Sequence, residues 1–299
     1  MTERLGDGVI DAHLHAWDPE RLRMPWLGGM PELDRRLALE EWDRDLGEHR
    51  NRFAAAVFVE TDVDDGEEEG ELEWIASLLG DPGRVVAAVA GWRPMGSLVD
   101  VTRRLDAIAE IPEVVGLRHV LHPSGVSAAG LLDPGHVAAV RLAGERGLLV
   151  ELCVRPDQLS AAAILVGLAP DTDFVLDHLG RPRTDRPLEE GWCDDLGRLA
   201  DHPRLVAKIS ALIECARGAS WTAATFEPFV SAAIERFGCE RLLWGSNWPV
   251  CRVGGSLLEW LAASDRMLGE RSTEERDAIF GGNARRVYRL PGHPSASPR

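Results

Sequence analysis

The sequence predicts a single (β/α)8 barrel, and three observations predict it. Eight short apolar or β-branched segments recur along the 299 residues, their starts about 25 to 44 residues apart. Between most of them lie stretches with apolar residues at three- and four-residue spacing, the period of a helix that buries one face. No linker or shift in composition divides the chain, so the units belong to one domain. Eight strand–helix units of roughly 30 residues, ~250 in all, have the size and rhythm of a barrel. A doubly wound open sheet would call for a Gly-rich phosphate turn after strand one. Here that strand runs into Asp11-Ala12-His13-Leu14-His15 instead.

In chain order the strands are residues 9–15, 53–60, 85–92, 114–121, 148–154, 173–179, 205–212 and 242–248. Each is 7 or 8 residues long, too short for a helix and right for a buried strand. Helices follow over 71–79, 98–110, 134–146, 188–200, 225–237 and 257–268, several opening on Asp, Ser or Thr caps. The stretch between strands one and two is too long for a plain helical connection and predicts a loop folded over the barrel mouth. Acidic residues 62–73 read as a solvated loop and helix start. The domain spans 1–299 with its core at about 9–290, and the Pro/Ser-rich tail 291–299 frays.

Composition excludes several functions. Hydrophobic residues make up 45% and charged residues 27%, an ordinary globular mix, while the net charge of −16 repels phosphate backbones and anionic lipid. Nucleic acid and membrane are therefore poor partners, and a small molecule is the expected one. The longest apolar run, 161–169, falls far short of the ~20 residues of a spanning helix. The first residues, MTERLGDGV, lack the apolar region of a signal peptide. Five scattered cysteines without a CxxC pair read as reduced thiols, so the expected location is cytoplasmic.

Working residues of such barrels sit at the C-terminal ends of strands, and conspicuous polar residues fall there repeatedly. His13 and His15 are two apart on strand one, so both imidazoles share a face and begin a zinc-type site. His178, at the end of strand six, is the third candidate ligand and a candidate catalytic group. Glu60 ends strand two, either as a catalytic carboxylate or as a helix-cap acceptor. Arg118 on strand four is a candidate clamp for a substrate oxygen or a partner in a rim salt bridge. His119 beside it is a second binding candidate, although its parity turns it to the opposite face. Asn247 closes strand eight. Trp17, Trp26, Trp92 and Trp248 cluster near the strand ends, where their faces could stack on a ring or simply pack the loops. Glu151 and Lys208, the only lysine, interrupt apolar strands five and seven and are expected to pair inside the barrel.

VIDAHLHAWDP, GLRHV, LDHLG, KIS, LLWGSNWPVC and the closing IFGGNARRVY resemble the amidohydrolase superfamily. Within it they resemble the sugar lactonase branch, of the L-fuconolactonase and L-rhamnonolactonase type. The resemblance covers about residues 9–290 and implies a TIM barrel of amidohydrolase type that opens a cyclic ester at its mouth. It implies that His13, His15 and His178 hold one divalent ion, zinc first, or bind the carbonyl directly in metal-independent relatives. Strand five lacks the histidine of the binuclear pattern, so one metal is the ceiling. The chain departs from the family at Asn247, where relatives usually keep the aspartate that moves the proton. An amide cannot titrate. Either another group serves as base, or the chain runs a different reaction, such as decarboxylation or hydrolysis of another ester, or only binds.

Overall fold

The computed structural model describes residues 8–81, 84–94, 97–122, 127–216 and 218–290. The first residues and the tail expected to fray lie outside them. Eight strands follow one another in a parallel sheet: β1 (Val9–Leu14), β2 (Phe53–Val59), β3 (Val85–Gly91), β4 (Val114–Val120), β5 (Leu149–Cys153), β6 (Phe174–Leu176), β7 (Leu205–Ile209) and β8 (Leu242–Trp244). The sheet closes on itself, because His15 N donates to Trp248 O (2.7 Å) and Asn247 N donates to His13 O (2.9 Å). All eight strands lie inside the segments expected from the sequence. They stop earlier because their last residues turn out of the ladder to form the site.

Helices surround the barrel: α1 (Leu39–Leu46), α2 (Glu68–Leu79), α3 (Leu98–Ala109), α4 (Pro134–Glu145), α5 (Leu159–Leu168), α6 (Glu190–Ala200), the short α7 (Leu212–Cys215), α8 (Ala223–Phe237) and α9 (Leu257–Met267). After them come α10 (Thr273–Asp277) and α11 (Asn283–Val287), the last helices among the described residues. Ser97, Asp133 and Ser256 cap helix N-termini through their side-chain oxygens, as the caps in the sequence promised, and Ser272 does the same for α10, which the sequence reading did not include. Five helices escaped the sequence reading, and α7, α10 and α11 are only four or five residues long. Helix α5, LSAAAILVGL, is apolar almost all round, so no period marks it, and it packs against α6. Helix α1 occupies the stretch read as a loop, and Trp42 and Leu46 anchor it. The rest of that stretch does fold inward, burying Trp17, Leu22, Leu27, Leu33 and Leu37.

Apolar side chains form two layers. One lies between sheet and helices; the other fills the barrel with small and β-branched residues, among them Ala12, Ala55, Val57, Ala87, Val89 and Val175, and is plugged by Tyr288. Among the described residues no helix is long and apolar enough to cross a membrane. None of the five cysteines is in a disulfide.

Candidate active site

A register shift in β1 between Asp11 and Leu14 sets up the site. Ala12 belongs to the barrel filling, yet the next residue, His13, also faces the barrel centre, which requires a bulge. Asp11 holds this irregular end. Its Oδ1 accepts from Ser246 N (2.8 Å) and His13 N (3.2 Å), and its Oδ2 from Ser246 Oγ (2.5 Å). The carboxylate thus ties the first strand to the last. Gly245 leaves room for the turned histidine: a Cβ there would stand 2.7 Å from His13 Cβ. The other rims are bent as well. Asp62, His178, Leu179, Arg181, Ala211 and Asn247 all have positive φ, a costly backbone state that collects at functional sites.

His13 is the hub. Its Nε2 lies 3.2 Å from His15 Nε2 and 3.2 Å from Arg118 Nη1, while its Nδ1 faces Lys208 Nζ (3.0 Å) and Asp177 Oδ1 (3.4 Å). His15 Nδ1 donates to Val59 O (2.8 Å), and a carbonyl can only accept, so the lone pair of His15 sits on Nε2. His178 is fixed through Nδ1 by Ser210 Oγ (2.7 Å). Burial holds all three imidazoles neutral: His15 is lowered to about 3, with Arg118 adding to the effect, and His13 and His178 fall well below their ordinary range. Neutral imidazole is the ligand form.

Among the described residues His13, Asp177 and His178 offer donor atoms within 4.8 Å of one another; His15 is outside that group, with its Nε2 3.2 Å from His13 Nε2. Two nitrogens bound to one tetrahedral zinc stand about 3.3 Å apart, which the His13–His15 separation matches. Asp177 Oδ1 is buried without a hydrogen bond, its charged neighbours being Lys208 Nζ at 3.1 Å and His13. This donor set fits one divalent ion. Asp177 had no role in the sequence reading, although it directly precedes His178.

Beneath the cluster runs a charge network. Lys208 Nζ donates to Glu151 Oε2 (2.6 Å), and Tyr288 OH donates to Glu151 Oε1 (2.7 Å). The expected pair therefore exists, widened by Asp177. Burial pushes the Glu151 carboxyl up to about 7 despite Lys208, whereas Lys208 and His13 outweigh burial at Asp177 and hold it well below the usual range. Arg118 is 4% exposed: Nε donates to Glu60 Oε1 (2.6 Å) and Nη2 to Glu60 O (2.6 Å). Glu60 Oε2 accepts from Asp62 N (2.6 Å). Both oxygens of Glu60 are thus engaged, and Arg118 reaches the cluster through Nη1 alone. His119 stands apart, as its parity required, with Arg93, His136 and Asp65 as its titratable neighbours.

The tryptophans separate. Trp17, Trp92 and Trp248 are buried in the loop packing, and Trp17 and Trp248 donate to Leu33 O and Asp45 Oδ2. They therefore present no face for stacking. Trp26, half-buried and bonded to Thr61 O, retains some surface.

Asn247 is bonded to one element and stands beside another. Its Oδ1 lies 3.2 Å from His15 Nε2, and its Nδ2 donates to Glu214 Oε1 (2.6 Å). Glu214 comes from α7, which the left-handed turn at Ala211 carries across the mouth just after Ser210. The sequence reading missed Glu214, because four helical residues after a strand leave no periodic trace.

Comparison with known proteins finds the amidohydrolase family model matching residues 10–290. An L-fucono-1,5-lactonase of Burkholderia ambifaria is 32% identical over 219 residues, 69% of this chain and 71% of that protein. One from Burkholderia multivorans is 29% identical over 296 residues, 94% and 96% of the two chains. A Burkholderia multivorans amidohydrolase solved with bound zinc superposes with a TM-score of 0.82 at 27% identity, covering 95% of this chain and 100% of that one.

Proposed function

The chain belongs to the amidohydrolase family, and on that footing we propose that it hydrolyses a sugar-acid lactone at the C-terminal mouth of its barrel. The observation that carries this reading is the likeness to L-fucono-1,5-lactonase along nearly the whole chain. The chemistry of the mouth supports it. Lys208 and Arg118 set two positive charges beside His13, against Asp177 and Glu60. Glu151 and Asp177 already compensate Lys208, so the group that meets negative charge developing on a lactone carbonyl oxygen is Arg118 Nη1, a donor already in place that needs no reorganisation. His13, His15 and His178, with Asp177, would hold a divalent ion, zinc being the favoured one. That ion, when bound, would polarise the ester carbonyl. Asn247 orients the attacking water, Arg118 acts through Nη1 with Glu60 fixing its plane, and His178 is aimed by Ser210. Trp26 is the tryptophan left to meet the substrate ring.

A net charge of −16 supports a small molecule, not nucleic acid, as partner, and five cysteines outside any disulfide support a cytoplasmic location. The test is a proton-release screen of purified, metal-analysed protein against five- and six-membered sugar lactones. Turnover of at least one is expected. A folded protein, as isolated and with zinc supplied, that releases acid from none of them overturns the reading.

A further inference from the structure

Opening an ester with water needs a group that takes a proton and gives it back, and Asn247 cannot be that group. The nearby carboxylates are largely committed. Glu60 holds Arg118 and Asp62 N; Asp11 holds Ser246 and His13 N; Glu151 holds Lys208 and Tyr288. Asp177 Oδ1 also lacks a hydrogen bond, but it lies 3.1 Å from Lys208 Nζ while Oδ2 lies 3.4 Å from Arg118 Nη1, so a cation holds each oxygen; Asp62 lies at the rim toward Arg93.

Glu214 differs. Its Oε1 accepts from Asn247 Nδ2 at 2.6 Å, while its Oε2 is buried and has no hydrogen-bond partner. The residue lines a cavity of about 280 Å³ with Arg181, Pro182 and Cys215. A water molecule occupies ~30 Å³, so the cavity has room for one and for part of a ligand. Asn247 thus holds a carboxylate with a spare oxygen beside the imidazole cluster, its own Oδ1 3.2 Å from the lone pair on His15 Nε2.

We propose that Glu214 is the proton-handling catalytic residue of this site, with Asn247 as its positioning residue. The inference rests on the lactonase reading. Glu214 Oε2 removes a proton from water as the water oxygen bonds to the lactone carbonyl carbon. The tetrahedral adduct then breaks its bond to the ring oxygen, and Glu214 returns the proton to that departing oxygen. The product is a hydroxy acid, whose own carboxyl group ionises and releases the proton seen in the assay. Burial pushes the Glu214 carboxyl up to about 7, partly offset by the Asn247 bond, which suits a base working near neutrality. The charged or titratable groups facing it are Arg181, beyond β6, and Cys251, after β8.

The test is Glu214→Gln, which keeps the shape and removes the charge, assayed on any lactone the native enzyme turns over. Expected are a fall in kcat of ~10²–10³-fold, an unchanged melting temperature, and loss of the acidic limb near pH 7. In Glu214→Ala, added formate should restore rate in proportion to its concentration. Near-native kcat in Glu214→Gln overturns the proposal, as does a crippled variant that keeps the native acidic limb. Failure of the lactonase reading is distinguishable, because it would leave the native enzyme without a substrate.

Discussion

Lys208 offers the sharpest test of how the site is held together. Its ammonium is fully buried, 2.6 Å from Glu151, 3.1 Å from Asp177 and 3.0 Å from His13. Lys208→Met removes the cation and leaves two buried carboxyls behind. Breaking a buried pair from one side costs ~3–5 kcal/mol. Unfolding entropy of about 2.1 cal/mol/K per residue gives ~0.6 kcal/mol/K for 299 residues, so the loss lowers Tm by ~5–8 °C. Glu151→Gln should cost less, because Lys208 keeps Asp177 and the amide oxygen can still accept from Tyr288. The double variant leaves neither partner of the pair charged and should be more stable than the two single losses added, by ~1–3 kcal/mol. Calorimetry or denaturant melts of all four proteins measure this. Losses that add to within ~0.5 kcal/mol would refute the pairing.

Gly245→Ala should cost ~1–3 kcal/mol and most of the activity, since the new Cβ meets His13 at 2.7 Å; a stable, fully active variant would contradict the turned geometry of β1. His13→Ala should lower the metal bound per chain more than His15→Ala, because Asp177 and His178 gather around His13; metal analysis of both variants decides. Asn247→Asp sets a second carboxylate against Glu214, and two such groups at 2.6 Å share a proton, so the acidic limb should move above pH 7 and the neutral rate fall ~10-fold; a faster neutral rate would place the base at position 247. Burial raises Asp11 to about 6, so folding binds its proton more tightly than the unfolded chain does. Its contribution to stability is full below about pH 4 and lost as pH rises through 6, a slope that Asp11→Asn should flatten in melts across that range.

The barrel was legible because its evidence is repeated. Each strand is a short apolar block, and one misread block leaves seven others in rhythm. Helices α1 and α5 were not legible, each for its own reason. Helix α5 has no polar face to mark a period, and α1 sits in a stretch whose length alone suggested a loop. Strand parity also carried real information. It set His13 and His15 on one side and turned His119 away from Arg118, and the structure agrees on both.

Partnership was less legible than position. The residues that ended strands could be read from the sequence, but whether each was free or committed depended on neighbours far along the chain. Glu60 looked like an available carboxylate until Arg118, 58 residues away, was found to hold one oxygen. Four rim tryptophans looked alike until loop packing buried three of them. Glu214 had the opposite fate: nothing in LIEC marks a functional carboxylate, and its relation to Asn247 arises only because the chain reverses at Ala211 and β8 returns beside β1. A proton-transfer group needs an oxygen that nothing else occupies. That property belongs to the closed barrel and to no local stretch of sequence, which is why the departure at Asn247 could be seen early and its replacement could not.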